Sequence, residues 1–243
     1  MIESLNGCTN VSELPNLILI DDSGKYNLDY DFAIKARRLY KGKIFSIIND
    51  TNMGVSFSRN IGFSMVPIGS YVVFFDSDDT WIVGNYKKFI SALKANADKD
   101  LILFPTSINE IPKYSGISME VKQLLWKDYG AGERLLVIKK TDNDKPFIDK
   151  LRGFEIVSLY DWGCGVSRRS VVAPVVIRNY TSDNDYSLTR SQFTNERTYL
   201  SISAFARLVL LSVQQGDLKI LHLALIRCIK WSMLWLYHQI TIK

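Results

Sequence analysis

Asp76 and Asp78 stand one residue apart directly after the apolar run Tyr71-Val72-Val73-Phe74-Phe75. Two carboxylates so spaced in a turn can share a divalent cation, and their hard oxygens suit Mg2+ or Mn2+, which in turn neutralise a diphosphate. The same residues also make an ordinary solvated turn, because Asp, Ser and Thr favour turns. The pair alone leaves both readings open. Asp21 and Asp22 end the shorter apolar run Leu17-Ile18-Leu19-Ile20 in the same way, so two carboxylate clusters sit where strands stop.

The elements that must position these groups follow from periodicity. Strands are expected at 17–20, 44–48, 71–75 and 101–104, and helices at 30–40, 56–65 and 81–97. The run at 71–75 has no polar break, as in a strand buried on both faces of a parallel sheet. This alternation predicts an α/β fold with an open, mostly parallel sheet flanked by helices, whose ligands bind beyond the strands' carboxyl ends. Residues 106–152 are polar and turn-rich, and are expected to form an irregular insertion.

A helix is expected from Glu196 to Gln214, broken at Gly216-Asp217, and a second one from Leu218 to Ile240. On a wheel of ~100° per residue, Lys219, His222, Arg227, Lys230 and His238 of that last helix fall within roughly 160°, opposite Leu, Ile, Met and Trp. Such an amphipathic helix could lie in a membrane interface or pack on its own domain. A span is a third reading, in which Arg227 and Lys230 would each cost about 2.5–3.5 kcal/mol.

The block Asn52-Met53-Gly54-Val55-Ser56-Phe57-Ser58-Arg59-Asn60-Ile61-Gly62, then Gly69-Ser70-Tyr71 through Asp76-Ser77-Asp78-Asp79-Thr80-Trp81, closely resembles the family 2 glycosyltransferases, whose fold is GT-A (Rossmann-like). The Leu17–Ser23 strand end resembles the family's nucleobase-binding strand. The resemblance implies donor contacts at Asp21, Asp22, Arg59, Asn60, Asp76, Asp78 and Asp79, with Asp22 preferred over Asp21 for the base. It implies Mn2+ or Mg2+ on Asp76 and Asp78, and a nucleoside-diphosphate sugar, most simply a UDP-sugar, as donor.

Farther on, the family places a base before a helix. Glu196 stands at the comparable position, and a carboxylate there can accept the acceptor's proton. It would equally suit a helix N-terminus with no catalytic role.

Tyr129-Gly130-Ala131-Gly132-Glu133-Arg134-Leu135 and the stretch from Pro146 to Glu155 are similar to bacterial enzymes that build O-antigen or capsule. That similarity implies acceptor contacts at Arg152, Glu155 and Trp162, Glu155 as a second base, and a lipid-linked glycan acceptor. Family members also open with an apolar strand running into a Pro-x-Tyr-Asn turn, and nothing before Leu17 resembles it. Two expectations follow: a start placed late, or a shortened, inactive copy that binds partner proteins.

The division expected is 1–105 for the nucleotide sugar, 106–215 for the acceptor and 216–243 for a membrane-associating helix. Phe74–Thr80 also resembles the Asp-x-Asp-x-Thr motif of haloacid-dehalogenase-type phosphatases, with Asp76 as nucleophile and Asp78 as acid/base.

The bulk numbers agree with one large globular domain of 243 residues, 47% hydrophobic. The net charge of +5 gathers at the end, where Lys219, Arg227, Lys230 and Lys243 follow Asp217 with no acid among them. Those cations are embedded in apolar residues, which argues against a nucleic-acid arm. Cys8, Cys164 and Cys228 show no paired spacing for a disulfide framework or zinc. No basic-then-apolar leader opens the chain, so the expected location is cytoplasmic, peripheral on the inner membrane face.

Overall fold

The computed structural model describes residues 2–7, 14–24, 30–128, 131, 133–142, 145–149, 151, 154–180 and 195–241. In chain order the elements are α1 (Ile2–Asn6), β1 (Leu17–Asp21), α2 (Tyr30–Leu39), β2 (Ile44–Ile48), α3 (Val55–Ser64), β3 (Tyr71–Phe74), β4 (Thr80–Trp81), α4 (Tyr86–Ala95) and β5 (Leu101–Pro105). There follow β6 (Met119–Glu120), α5 (Val121–Lys127), β7 (Arg134–Lys139), α6 (Glu155–Gly165), β8 (Arg169–Val172), β9 (Arg178–Asn179), α7 (Asn195–Gln214) and α8 (Leu218–Thr241).

The largest sheet has the order β3-β7-β5-β8-β6. Side chains alternate across a strand, and here both sides are covered. Leu101 and Leu103 of β5 and Leu136 and Ile138 of β7 enter one core, under α5 to α8. Ile102, Phe104, Leu135 and Val137 enter the other, with Trp81, Tyr86 and Phe89. Each such fully buried aliphatic side chain contributes about 1.5–3 kcal/mol.

Several expectations change. The 106–152 stretch contributes β7, which sits between β3 and β5 and runs antiparallel to both. Its Leu135-Leu-Val-Ile138 core is an unbroken apolar run inside a polar neighbourhood, so the stretch is not irregular throughout. Among the described residues β5–β8 and β1–β2 pair in parallel, and Thr106 and Arg178 form an isolated parallel bridge. β3 is partly exposed, because among the described residues it has a neighbour on one side only. The helix expected from Trp81 begins at Tyr86 instead. Gly84, at φ 89, interrupts it, and Trp81 joins β4, paired with β9.

Among the described residues β1 and β2 form a separate two-stranded sheet. Helix α3 lies against both sheets. A Cβ on Gly62 would stand 3.1 Å from Ile20 Cδ1 of β1, while the next residue, Phe63, stacks on Phe74 of β3 with ring centroids 6.3 Å apart.

Helices α7 and α8 form a hairpin. Ile220 and Ala224 of α8 are buried in the core, with Cys228 and Trp231 packed beside them. The opposite face exposes Leu225, Ile226, Ile229, Met233, Leu236 and Ile240. The helix therefore has two apolar faces with cations between them, where one apolar face opposite a polar one was expected.

Candidate active site

The 49–54 loop is organised by one carboxylate. Asp22 Oδ1 accepts from Asn49 Nδ2 and from the Met53 backbone N–H, each at 2.8 Å, and Oδ2 accepts from the Gly54 N–H at 2.6 Å. Burial pushes the Asp22 carboxyl up, but hydrogen bonds from Asn49, Met53, Gly54 and Ser58 outweigh it and hold the group below the ordinary carboxylate value. Asp22 thus shapes the loop that starts α3, a structural role beside the base contact expected of it. Asp21 Oδ1 accepts from the Ser23 N–H at 2.9 Å within its own turn.

Three polar residues on one face of α3, at spacing i, i+3, i+4, fasten it to the segment before α6. Ser56 Oγ donates to the Leu151 carbonyl at 2.7 Å. Asn60, 4% exposed, donates to the Phe147 carbonyl and Asp149 Oδ1, each at 2.7 Å, and accepts from the Phe147 N–H. Buried and saturated, Asn60 is a tie between the two halves of the chain rather than a donor contact.

Arg59, between them, spans two carboxylates. Its Nη2 is 3.2 Å from Asp76 Oδ1 and its Nη1 2.9 Å from Glu155 Oε1, in the first turn of α6. The guanidinium also lies over the Phe147 ring, 5.5 Å from the centroid.

Asp76, Ser77 and Asp78 are exposed, whereas Asp79 is 1% exposed and lies 2.7 Å from Arg178 Nη1. Asp79 is therefore a buried ion-pair partner and not a donor ligand. Arg178 also reaches Asp76 Oδ2 at 3.5 Å and Glu133 Oε2 at 3.8 Å. Glu133 is brought here by the antiparallel register that sets Phe74 opposite Leu136. Burial raises the Glu133 carboxyl, Arg178 opposes that rise, and Glu155, Asp76 and Asp79 reinforce it. Neither Arg178 nor Glu133 stood out in the sequence as a site residue. The only signal for Arg178 is a cation ending the apolar run Val175-Val176-Ile177.

Among the described residues Asp76, Asp79, Glu133 and Glu155 thus surround two cations, Arg59 and Arg178, so carboxylates outnumber cations there. With exposed hard oxygens on Asp76 and Asp78, that donor set fits Mg2+ or Mn2+ of the kind held by one or two carboxylates plus phosphate oxygens. Such a site needs no larger protein cage, and no group of three or more His, Cys, Asp or Glu positioned for a metal occurs among the described residues.

Trp162 is corrected. At 7% exposed it packs in the core, with the Arg168 guanidinium 4.1 Å from its ring centroid, and offers no face to an acceptor. Arg152 and the side chain of Glu196 lie outside the described residues; the backbone of Glu196 is in the first turn of α7.

The sequence profile described as glycosyl transferase family 2 matches residues 3–160. The chain belongs to glycosyl transferase family 2. Its fold is GT-A, and it is a glycosyltransferase by family. The likeness extends beyond the matched residues. The 1–349 fragment of S. aureus TarS in complex with UDP-GlcNAc superposes with a TM-score of 0.65 at 14% identity, over 93% of this chain and 67% of that one. The same fragment in a second crystal structure gives 0.57 at 14% identity, over 95% and 83%. Against a longer TarS structure the chain spans half the length, again at 14% identity and 0.57. At this identity the likeness speaks for the fold. No curated protein sequence gave a match. This glycosyltransferase carries its Asp-x-Asp turn after β3, and the family assignment replaces the phosphatase reading of that motif.

Proposed function

We propose that this glycosyltransferase moves a sugar from a nucleoside diphosphate to a lipid-linked oligosaccharide, with inversion at the anomeric carbon, in bacterial surface-polysaccharide synthesis such as O-antigen or capsule assembly. The observation that carries the donor half is the exposed Asp76-Ser77-Asp78 turn, with Arg59 joining it to Glu155. Asp76 and Asp78 would hold Mn2+ or Mg2+, which stabilises the departing diphosphate. UDP is the first nucleotide to test, since the related TarS fold was solved with UDP-GlcNAc.

In the transfer step an acceptor hydroxyl forms the new bond to the anomeric carbon as the bond to the diphosphate oxygen breaks. The bonding electrons leave with the nucleoside diphosphate, and the hydroxyl proton passes to a carboxylate. Glu155 and Glu196 are the candidates. Glu155 is favoured by its place beside Arg59, where its carboxylate shares a guanidinium with the donor turn.

Residues 1–105 would serve mainly the donor and 106–215 mainly the acceptor, although β7 belongs to the common sheet. Helix α8 supports a membrane-bound acceptor. Leu218–Tyr237 is long and apolar enough to cross a bilayer, and little of it is covered. With Lys219, Arg227 and Lys230 along it, we place it in the interface on the cytoplasmic side, where cations meet anionic headgroups.

The test is sugar transfer by the full chain with Mn2+, comparing wild type with Asp78→Ala. Loss of turnover, together with loss of the rise in melting temperature that UDP and Mn2+ confer on wild type, supports the reading. Unchanged turnover overturns the role of the turn.

A further inference from the structure

Arg178 is among the largest fully buried side chains, 2% exposed, and it lies 102 residues beyond Asp76 in sequence. A buried guanidinium is costly unless paired, and Arg–carboxylate pairs frequently engage both oxygens of one carboxylate. Arg178 does otherwise. Nη1 lies 2.7 Å from Asp79 Oδ2 and 3.5 Å from Asp76 Oδ2, and Nη2 lies 3.8 Å from Glu133 Oε2, while Nε and Nη2 donate no hydrogen bond among the described residues.

Asp76 and Asp79 are the first and last residues of one turn, closed by the Asp79 N–H donating to the Asp76 carbonyl at 3.3 Å. The exposed apex is Ser77-Asp78. A single guanidinium therefore grips both ends of the turn. It is itself fixed from behind, because Arg178 pairs with Trp81 in β9–β4 and its carbonyl accepts from the Ser107 N–H at 3.0 Å.

We propose that Arg178 is the positioning residue of the donor site. Its grip on Asp79 and Asp76 sets the direction in which Asp76 and Asp78 face the donor's diphosphate and its cation. The inference rests on the donor-site reading above. Arg59 is the adjustable partner of Asp76, with an 18% exposed side chain against 2% for Arg178. Asp76 would hold the cation, whose charge would offset that of the diphosphate; Arg59 would be free to turn toward the diphosphate, while Arg178 would keep Asp76 in place.

The experiment compares Arg178→Lys with a double variant, Asp79→Leu with Arg178→Met, in the full chain. Lysine keeps the charge as a single point that cannot grip both carboxylates. The apolar pair removes the buried charges together and restores folding if lysine does not. Melting without ligand, UDP affinity in Mn2+ by calorimetry, and donor KM and kcat are read for each. We expect the double variant to melt near wild type, and every folded variant to bind UDP–Mn2+ roughly tenfold or more weakly, with donor KM raised more than kcat is lowered. Wild-type affinity and KM in a folded variant would overturn the positioning role. If wild type itself binds no UDP–Mn2+, the donor-site reading falls first and takes this inference with it.

Discussion

Arg59 Nη1 stands 2.9 Å from Oε1 of Glu155, across 96 residues of sequence. That contact makes the start of α6 part of the same site as the Asp-x-Asp turn. Replacing Glu155 by Gln keeps size and a hydrogen-bond acceptor but removes the proton acceptor. Turnover is expected to fall about 10²–10⁴-fold with UDP affinity little changed. A transfer assay paired with calorimetry checks it; retained turnover moves the base to Glu196.

Asp22→Asn should destabilise the 49–54 loop by about 1.5–3 kcal/mol at pH 7, the range for hydrogen bonds to a charged group. The sign with pH follows from the lowered carboxyl. Its folded pKa lies below the unfolded one, so the contribution is full above the ordinary carboxylate value and is lost as pH falls through the folded value. Urea unfolding of both proteins between pH 7 and pH 2.5 should show the gap closing only at the acid end.

Gly24 has φ 67, and a Cβ there would lie 2.6 Å from the Asn52 backbone nitrogen. Gly24→Ala therefore meets a left-handed backbone cost of about 1–2 kcal/mol plus a clash with main chain that no side-chain rotation relieves. The melting temperature should drop, and UDP affinity with it, because the displaced loop is the one Asp22 organises. An unchanged melting point would contradict this geometry.

Trp162→Phe should lower stability by loss of core volume and of the Arg168 stack, yet leave the acceptor KM unaltered. A raised acceptor KM in the folded variant would return Trp162 to the acceptor site.

Ile229 and Leu236 lie on the exposed face of α8. The double change to Glu should abolish sedimentation with anionic vesicles without moving the melting temperature. Retained vesicle binding would assign that face to a protein contact.

Much of the fold was legible because short unbroken apolar runs, such as Leu101–Phe104, point to buried strands and Asp clusters to their ends. β7 was missed since its six residues lie between glycine-rich and Asn/Asp-rich stretches that dominated the reading. At the site, Asp76, Arg59 and Glu155 were anticipated and do converge. Arg178 was not, because nothing local to Val-Val-Ile-Arg tells that the arginine folds back onto a turn 102 residues earlier. Asn60 and Asp79 show the opposite error. A motif residue next to a site can be there to hold the backbone, and only its burial tells the two roles apart.

The two β-sheets that α3 straddles share, among the described residues, no strand-to-strand hydrogen bonds between β1 and β3. In amide exchange the β1–β2 pair should consequently open at a lower free energy than β5 and β7, as a cooperative unit of its own. If nucleotide binding closes the 49–54 loop over the Asp76–Asp78 turn, protection would rise first in β1 and β2, so the less tightly joined part of the molecule would be the part that binding makes rigid.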